Sequence, residues 1–202
     1  MGSREKILAA VKASQPDKVN LPDLSQFNLP GNGSISKFAA VLQVIGGKIS
    51  YVSGFEEISR IILNQYSDDV KIVSPIKELN GLANIHLTEL DLIHDLHNVE
   101  VAILKAHFAV AENGAVWVTD DQMMHRGLPF ITQHLAVIIN AANVVQTMHQ
   151  AYELISKMTY DFGTFIAGPS KTADIEQSLV IGAHGPRSMT VFIINDDPLR
   201  ND

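Results

Sequence analysis

The sequence predicts an α/β domain built on a mostly parallel sheet, with helices on both faces and a small antiparallel hairpin insertion. Short apolar runs alternate along the chain with segments whose apolar residues recur every three or four positions. Strand–helix alternation of this kind is typical of parallel sheets. Near the middle of the chain, Asn113-Gly114 separates two strand-like runs, which indicates a tight hairpin.

The first 33 residues are predicted to be a unit of their own. Ser3–Ala13 has the pattern of a short amphipathic helix, with Ile7, Leu8 and Val11 on one stripe. Three prolines and two glycines then interrupt residues 14–33, which indicates a linker. We therefore divide the chain into an N-terminal helix and linker (1–33) and a single α/β domain (34–202). The helix could contact a neighbouring subunit, so a homo-oligomer is possible.

The domain begins with a helix over Ser34–Ile45, whose apolar residues have helical spacing and which Gly46-Gly47 terminates. The elements predicted after it are a strand over Lys48–Val52, a helix over Phe55–Gln65, a strand over Val70–Val73, a helix over Leu90–Leu96 and a strand over Val99–Lys105.

The second half of the domain contains the hairpin and the last strands. The hairpin pairs Phe108–Glu112 with Ala115–Thr119. The elements predicted beyond it are a buried strand over His134–Asn140, a helix over Thr147–Lys157 and two closing strands over Gly163–Ala167 and Met189–Asn195.

Composition excludes several classes of function. The net charge is −7 and no Lys/Arg-rich run occurs, which argues against nucleic acid and anionic membranes. The apolar runs are shorter than the ~20 residues that span a bilayer, and residues 1–12 lack a secretory pattern. We therefore expect a cytoplasmic protein without membrane insertion. There is no cysteine, so this chain is expected to carry no iron–sulfur cluster as a cofactor.

The segment from Ala167 to Arg187 mixes glycine, proline, hydroxyl and charged residues, a composition that a packing core does not need. Its first half is predicted to be a turn that leads into a helix beginning near Thr172. A helix start with free N–H groups binds anions, but a simple capped turn explains the same residues. The candidate anion-binding residues here are Gly168, Ser170, Lys171, Thr172 and Asp174.

The second half of this segment adds candidate catalytic groups. Glu176 and His184 are candidate bases, and Arg187 could hold a carboxylate or phosphate through two parallel hydrogen bonds. Asp174 and Glu176 would share a face only in extended backbone, so paired-carboxylate chemistry is weakly supported. The alternative is a solvated turn whose histidine bonds to backbone.

These motifs resemble a known family. G-P-S-K-T-A-D-I-E over Gly168–Glu176 and G-A-H-G-P-R over Gly182–Arg187, followed by an apolar strand, are similar to the C-terminal motif of the LUD domain family, in its lactate-utilisation protein C branch. The family usually has a Glu/Asp-Thr-Gly-Thr turn where this chain has Glu112-Asn113-Gly114-Ala115, so both threonine hydroxyls are missing.

The resemblance adds four candidate ligand contacts, Glu112, Asn113, Gly114 and His134. A hairpin alone would explain Asn113-Gly114, and a lone histidine at a strand edge is more often structural. The resemblance also implies a fold like the NagB/RpiA/CoA-transferase-like group of sugar-phosphate isomerases and CoA transferases.

The implied function is a part in the oxidation of L-lactate to pyruvate, together with iron–sulfur lactate-utilisation proteins. Because this chain has no cysteine, it would be an accessory or substrate-handling component that binds a small carboxylate or phosphate. Two alternatives stay open. One is a free-standing enzyme acting on a phosphorylated, carboxylated or CoA-linked metabolite, and the other is a protein-interaction module. Whether the chain is an enzyme is not decided by its sequence.

Overall fold

The computed structural model describes residues 2–20, 22–23, 25, 31, 33–67, 69–84, 96–172, 180–182 and 184–195. Its helices are α1 (Ser3–Ala13), α2 (Ile35–Val44), α3 (Phe55–Gln65), α4 (Asp120–Met123), α5 (Leu128–Ile131) and α6 (Met148–Ile155). Its strands are β1 (Lys48–Val52), β2 (Ile72–Val73), β3 (Val101–Lys105), β4 (Phe108–Val110), β5 (Ala115–Thr119), β6 (His134–Asn140), β7 (Val144–Val145), β8 (Gly163–Ile166), β9 (Lys171–Thr172), β10 (Val180–Ile181) and β11 (Ser188–Ile194).

The main sheet has five parallel strands in the order β1-β11-β6-β3-β2. Its central strand, β6, is buried along five consecutive residues, as expected for a parallel strand covered on both faces. Alternate residues of β6 point to opposite faces: Leu135 and Val137 pack in one core, and Ala136 and Ile138 in another. The predicted parallel sheet is therefore confirmed.

The hairpin insertion is larger than the sequence suggested. β4 and β5 pair antiparallel around Asn113-Gly114, as predicted. β7 then adds parallel to β4, and β8 adds antiparallel to β5, which gives a second sheet of four strands in the order β7-β4-β5-β8. Because residues far apart in sequence supply β7 and β8, the local hairpin signal could not reveal this sheet.

Three cores hold the layers together. One face of the main sheet packs on α3, chiefly through Ile58 and Ile62. The other face packs on α2 and on the second sheet, with Phe38 and Leu42 at 0% exposure. The outer face of the second sheet is covered by α6. Helices thus lie on both faces of the parallel sheet, as predicted.

The ends of the helices follow from local chemistry. The side chain of Ser34 accepts a hydrogen bond from the Lys37 N–H at 3.2 Å and so begins α2. Gly46, at φ +88°, follows its end, a backbone conformation that side chains disfavour. The first turn of α3 contains Glu56 and Glu57, which stabilise the positive end of the helix dipole.

The N-terminal helix lies apart from these cores. α1 matches its predicted bounds, and none of its residues is buried. The predicted helix over Leu90–Leu96 falls, except for Leu96, outside the described residues. Within the described part of the chain, no helix has the length and apolar character needed to cross a bilayer.

The packing of α2 leads to a stability prediction. Leu42→Ala removes a side chain buried between α2 and both sheets, and we expect it to lower the free energy of unfolding by about 2–5 kcal/mol. Urea denaturation would measure the loss. Val44→Ala, on the same helix at 86% exposure, is the matched control and is expected to change stability by less than about 0.5 kcal/mol. Equal losses in the two variants would contradict the placement of α2.

Candidate functional site at the amino edge of the main sheet

The amino edge of the main sheet brings together polar residues from three strands. The register aligns His134, the first residue of β6, with Ser188, the first residue of β11. It also aligns His134 with Val101, the first residue of β3, so that Glu100 lies directly before the aligned position. Parallel strands that start at one level therefore place Glu100, His134 and Ser188 side by side.

Backbone hydrogen bonds hold this edge in place. The Thr132 hydroxyl, in a residue only 1% exposed, donates to the carbonyls of Glu100 (3.2 Å) and His134 (3.0 Å). The His134 N–H donates to the Glu100 carbonyl at 2.8 Å, and the Arg187 N–H donates to the Gln133 carbonyl at 2.8 Å. The functional side chains are thus attached to a fixed backbone.

The side chains form a connected network that we call the amino-edge cluster: Tyr66, Glu100, His134 and Ser188. His134 Nδ1 and Ser188 Oγ are joined by a hydrogen bond of 2.7 Å. On the other side of the imidazole, Nε2 lies 3.6 Å from Glu100 Oε1. The Tyr66 ring, just beyond the end of α3, lies 5.2 Å from the His134 ring, and its hydroxyl accepts a hydrogen bond from Gln65 Nε2 at 3.1 Å.

The electrostatics of the cluster favour neutral side chains at His134 and Tyr66. Burial lowers the pKa of His134 below its usual 6.5, the Glu100 carboxylate opposes this, and the positive charges of Arg187 and Lys48 lower the pKa further. Burial also raises the pKa of Tyr66, with a further increase from Glu100 and an opposing contribution from the Ser188 hydrogen bond. Near pH 7 the imidazole can therefore accept a proton, while the phenol keeps its proton and can donate a hydrogen bond.

The cluster is accessible to small molecules. The side chains of His134 and Glu100 are 26% and 39% exposed, and Arg187 and Lys48 are exposed beside them. Lys48 opens β1 and lies on the same face as Val52, the face that packs on α3. The site thus combines two cations, the Glu100 carboxylate, a neutral imidazole and two hydroxyls, and its cations can attract an anion that also carries an oxygen for hydrogen bonding.

A second group of predicted residues surrounds the end of α2. The Lys171 ammonium donates to the carbonyl of Ile45, the residue that follows α2. Cations favour the negative end of a helix dipole, so Lys171 stabilises α2. Two glycines with positive φ lie against this end of α2. At Gly168 (φ +75°) a Cβ would lie 2.8 Å from the Ile45 carbonyl oxygen, and at Gly114 (φ +72°) a Cβ would lie 3.1 Å from the Leu42 nitrogen.

The helix predicted to begin near Thr172 would run through residues 173–179, which lie outside the described part of the chain. Lys171–Thr172 forms β9, which pairs antiparallel with β10. Ser170 extends the pairing, since its N–H donates to the Pro186 carbonyl at 2.9 Å and its carbonyl accepts from the Gly182 N–H at 3.0 Å. Up to Thr172 the described backbone is therefore extended and paired with residues further along the chain.

The remaining residues predicted to bind a ligand or act as bases lie in different parts of the structure. Glu112 accepts a hydrogen bond from the Met148 N–H at 2.7 Å, at the start of α6, and Asn113 accepts from the Ala115 N–H at 3.1 Å in the hairpin. Both contacts are structural. His184 is exposed in the turn before Arg187, and its role as a base stays a prediction. Asp174 and Glu176 lie outside the described residues.

Four residues around His134 escaped the sequence analysis: Lys48, Tyr66, Glu100 and Ser188. The sequence positions of three of them could have identified them, because Lys48 and Ser188 are the first residues of parallel strands and Glu100 directly precedes one. Parallel strands present their amino ends at one edge, so polar residues at those positions could have been grouped together. Tyr66 has no such signal, because only the packing of α3 brings it to the edge.

Two open clefts lie elsewhere. One, of about 470 Å³, follows the outer side of α3 and includes Phe55, Arg60 and Glu78. The other, of about 580 Å³, is bordered by three aspartates, and its Arg126 pairs with Asp120 at 3.3 Å. Neither cleft is lined by the amino-edge cluster. We place the candidate site at the cluster because connected titratable groups, rather than empty volume, carry the chemistry.

Comparison of the fold identifies its class. The structure is similar to the crystal structure of a DUF162 family protein from Deinococcus radiodurans, with a TM-score of 0.58 and 15% sequence identity over 79% of this chain and 95% of that one. This likeness shows that the two chains share a fold, which in this chain is of the mixed α/β class. The further likeness to the NagB/RpiA/CoA-transferase-like group stays a prediction.

The family follows from the sequence comparison. Residues 76–194, more than half of the chain, match the LUD domain. The chain belongs to the LUD domain family.

Its curated relatives include proteins named Lactate utilization protein C. One from Bacillus pumilus is 30% identical over 48% of this chain and 42% of the relative, and one from Anoxybacillus flavithermus is 31% identical over 52% and 49%. A third, from a Geobacillus species, is 28% identical over 69% and 57%. The chain spans about half the length of the curated relatives it matches.

The end of α2 gives a test of the structural role of Gly168. Gly168→Ala forces a side chain into a left-handed conformation and against the Ile45 carbonyl. Gly46→Ala imposes a similar conformation, but its nearest contact is an ordinary 3.5 Å. We expect roughly 1–2 kcal/mol of destabilisation at Gly46 and a larger loss at Gly168, measured by urea unfolding. A smaller loss at Gly168 than at Gly46 would contradict this packing.

The cluster also gives a titration test. The pKa of His134, followed by NMR of its imidazole C–H signals, is expected below 6.5. Arg187→Gln removes a positive charge and should raise this pKa, while Glu100→Gln removes a negative charge and should lower it. The control is Arg60→Gln, whose side chain is 69% exposed and pairs with Glu57. It should leave the value unchanged. A lower His134 pKa in Arg187→Gln, or a higher one in Glu100→Gln, would refute the assignment.

Proposed function

We propose that this chain takes part in L-lactate utilisation as a substrate-handling component. Support comes from its membership of the LUD domain family and from its likeness to proteins named Lactate utilization protein C. The 202 residues contain no cysteine, so a Cys-ligated iron–sulfur cluster would have to belong to partner proteins. In this proposal the partners carry electrons and this chain binds the organic acid.

The binding site that we propose for the acid is the amino-edge cluster with its two flanking cations. The carboxylate would pair with Arg187, whose guanidinium offers two parallel hydrogen bonds, and with the point charge of Lys48. The observation that carries this assignment is the strand register, which sets Ser188, the residue after Arg187, opposite His134 and aligns Lys48 with Thr190, two residues further along. Both cations also lower the pKa of His134. An anion placed between them would relieve that repulsion.

A hydroxy or keto oxygen beside the carboxylate would then face hydrogen-bonding groups. His134 and Ser188 share a hydrogen bond of 2.7 Å, and Tyr66 supplies a second hydroxyl. Such a set can bind the 2-hydroxyl of lactate or the carbonyl of pyruvate, since each of these residues can donate a proton to oxygen or accept one. Lys171 is left out of this site because its ammonium holds the end of α2.

Ligand titration tests the proposal. L-lactate and pyruvate, added to the full chain, are expected to shift the His134 imidazole signals and to raise its pKa, since a bound carboxylate favours the charged imidazole. Lactamide, which lacks the charge, is the matched ligand control and should bind far more weakly. Inorganic phosphate shows whether the site selects carboxylates.

Variants locate the binding. Arg187→Gln is expected to weaken L-lactate binding about tenfold or more, which corresponds to about 1.4 kcal/mol. Arg60→Gln removes an equal charge from the surface of α3 and should leave the dissociation constant unchanged. If lactate leaves the His134 signals in place, or if both variants weaken binding alike, the site assignment fails.

A further inference from the structure

We propose that Ser188 is a nucleophile for acyl transfer, activated by His134, and that the amino-edge cluster hydrolyses small esters or thioesters whose acyl group carries a carboxylate. This goes beyond binding of an organic acid. It uses the same cations for recognition, but it needs neither lactate nor a partner protein.

The first support is the geometry of proton transfer. Ser188 Oγ lies 2.7 Å from His134 Nδ1, within the range in which a base takes a hydroxyl proton. Glu100 Oε1 lies 3.6 Å from the opposite nitrogen, Nε2. A nucleophile, a base and a third group that orients the base is the arrangement of serine hydrolases, and such contacts are often loose before substrate binds.

The second support is the protonation state of the base. Burial and two neighbouring cations keep the imidazole neutral at pH 7, so Nδ1 is free to accept the serine proton. Glu100 faces Nε2 and would stabilise the imidazolium formed during attack. Lys48, Arg187, Glu100 and Tyr66 are the charged and titratable groups that act on this pair among the described residues.

The third support is a donor for the developing negative charge. The Tyr66 ring lies 5.2 Å from the ring of His134, which bonds Ser188, and burial raises the pKa of Tyr66, so the phenol is protonated at neutral pH. A hydroxyl held next to the nucleophile can donate to the oxyanion of a tetrahedral intermediate. Arg187 and Lys48 would hold the carboxylate at the far end of the acyl group, which defines the substrate class.

The reaction balances with water as the only co-reactant. Ser188 Oγ bonds to the acyl carbon as its proton moves to His134, and the C–O or C–S bond breaks as His134 passes the proton to the departing alcohol or thiol. Water then attacks the acyl-serine, again with His134 as base. A carboxylic acid leaves and Ser188 regains its proton.

Covalent labelling is the direct test. The full chain is incubated with a fluorophosphonate, and intact mass with peptide mapping is expected to show one adduct on Ser188. Ser188→Ala should prevent the adduct. Ser156→Ala, which removes a hydroxyl bonded to the Glu153 carbonyl in α6, should not. An unlabelled wild-type chain would overturn the proposal, and this result does not depend on how any variant folds.

Kinetics test the roles of the other residues. With p-nitrophenyl hemisuccinate as substrate, the hydrolysis rate of Ser188→Ala should equal that of buffer alone. The rate of His134→Gln should be about 100-fold or more below that of the wild type. Arg187→Gln should raise KM for the hemisuccinate by a larger factor than KM for uncharged p-nitrophenyl acetate. Equal rates for wild type and Ser188→Ala, with both folded by circular dichroism, would overturn the proposal.

Glu100 acts through His134 and is therefore a positioning residue. The rate should fall as the pH drops through the pKa of His134, below 6.5, and Glu100→Gln should move this limb to lower pH, with partial rescue by Glu100→Asp. If the acid limb of the pH–rate profile lies at the same pH in Glu100→Gln as in the wild type, Glu100 has no part in the mechanism. Labelling of Ser188 without lactate binding would support the hydrolase and leave the proposed lactate site without support, so the two ideas can fail separately.

Discussion

The register of β6 between β3 and β11 is the constraint on which the site depends. β6 is buried on both faces, so a shift by one residue would move its apolar side chains into the wrong core. The same register sets His134 opposite Ser188 and next to Glu100. The free energy that fixes the sheet therefore also fixes the polar cluster, and the cluster needs little stabilisation of its own.

The C-terminal motif contributes to two different parts of the molecule. Gly168 and Lys171 hold the end of α2, where close backbone approach excludes a side chain and a cation meets the Ile45 carbonyl. Arg187 and the following Ser188 belong to the amino edge of the sheet. The two halves of the motif meet at Ser170, which bonds Pro186 and Gly182, and from there the first half reaches the end of α2 and the second half reaches the candidate site.

The candidate site lies at the edge opposite to the one where open parallel sheets commonly bind ligands. At the carboxyl edge, Lys105 is paired with Glu78 at 3.3 Å and lies over the Phe55 ring. At the amino edge, two cations act on a histidine that is neutral near pH 7. The amino edge therefore has two cations and one carboxylate together with proton-transfer groups, a combination that suits the binding proposed for a small organic acid or its ester.

The sequence by itself determined the α/β class, most element bounds and the hairpin at Asn113-Gly114, because apolar periodicity and turn preferences act over a few residues. It also identified Arg187 and His134 as candidates. Only the tertiary structure decided that β7 and β8 enlarge the hairpin into a sheet, that Lys171 and Glu112 stabilise helix ends, and that Tyr66, Glu100 and Ser188 meet at His134. These outcomes depend on contacts between residues 30 to more than 100 positions apart, and local pattern contains no information on such pairings.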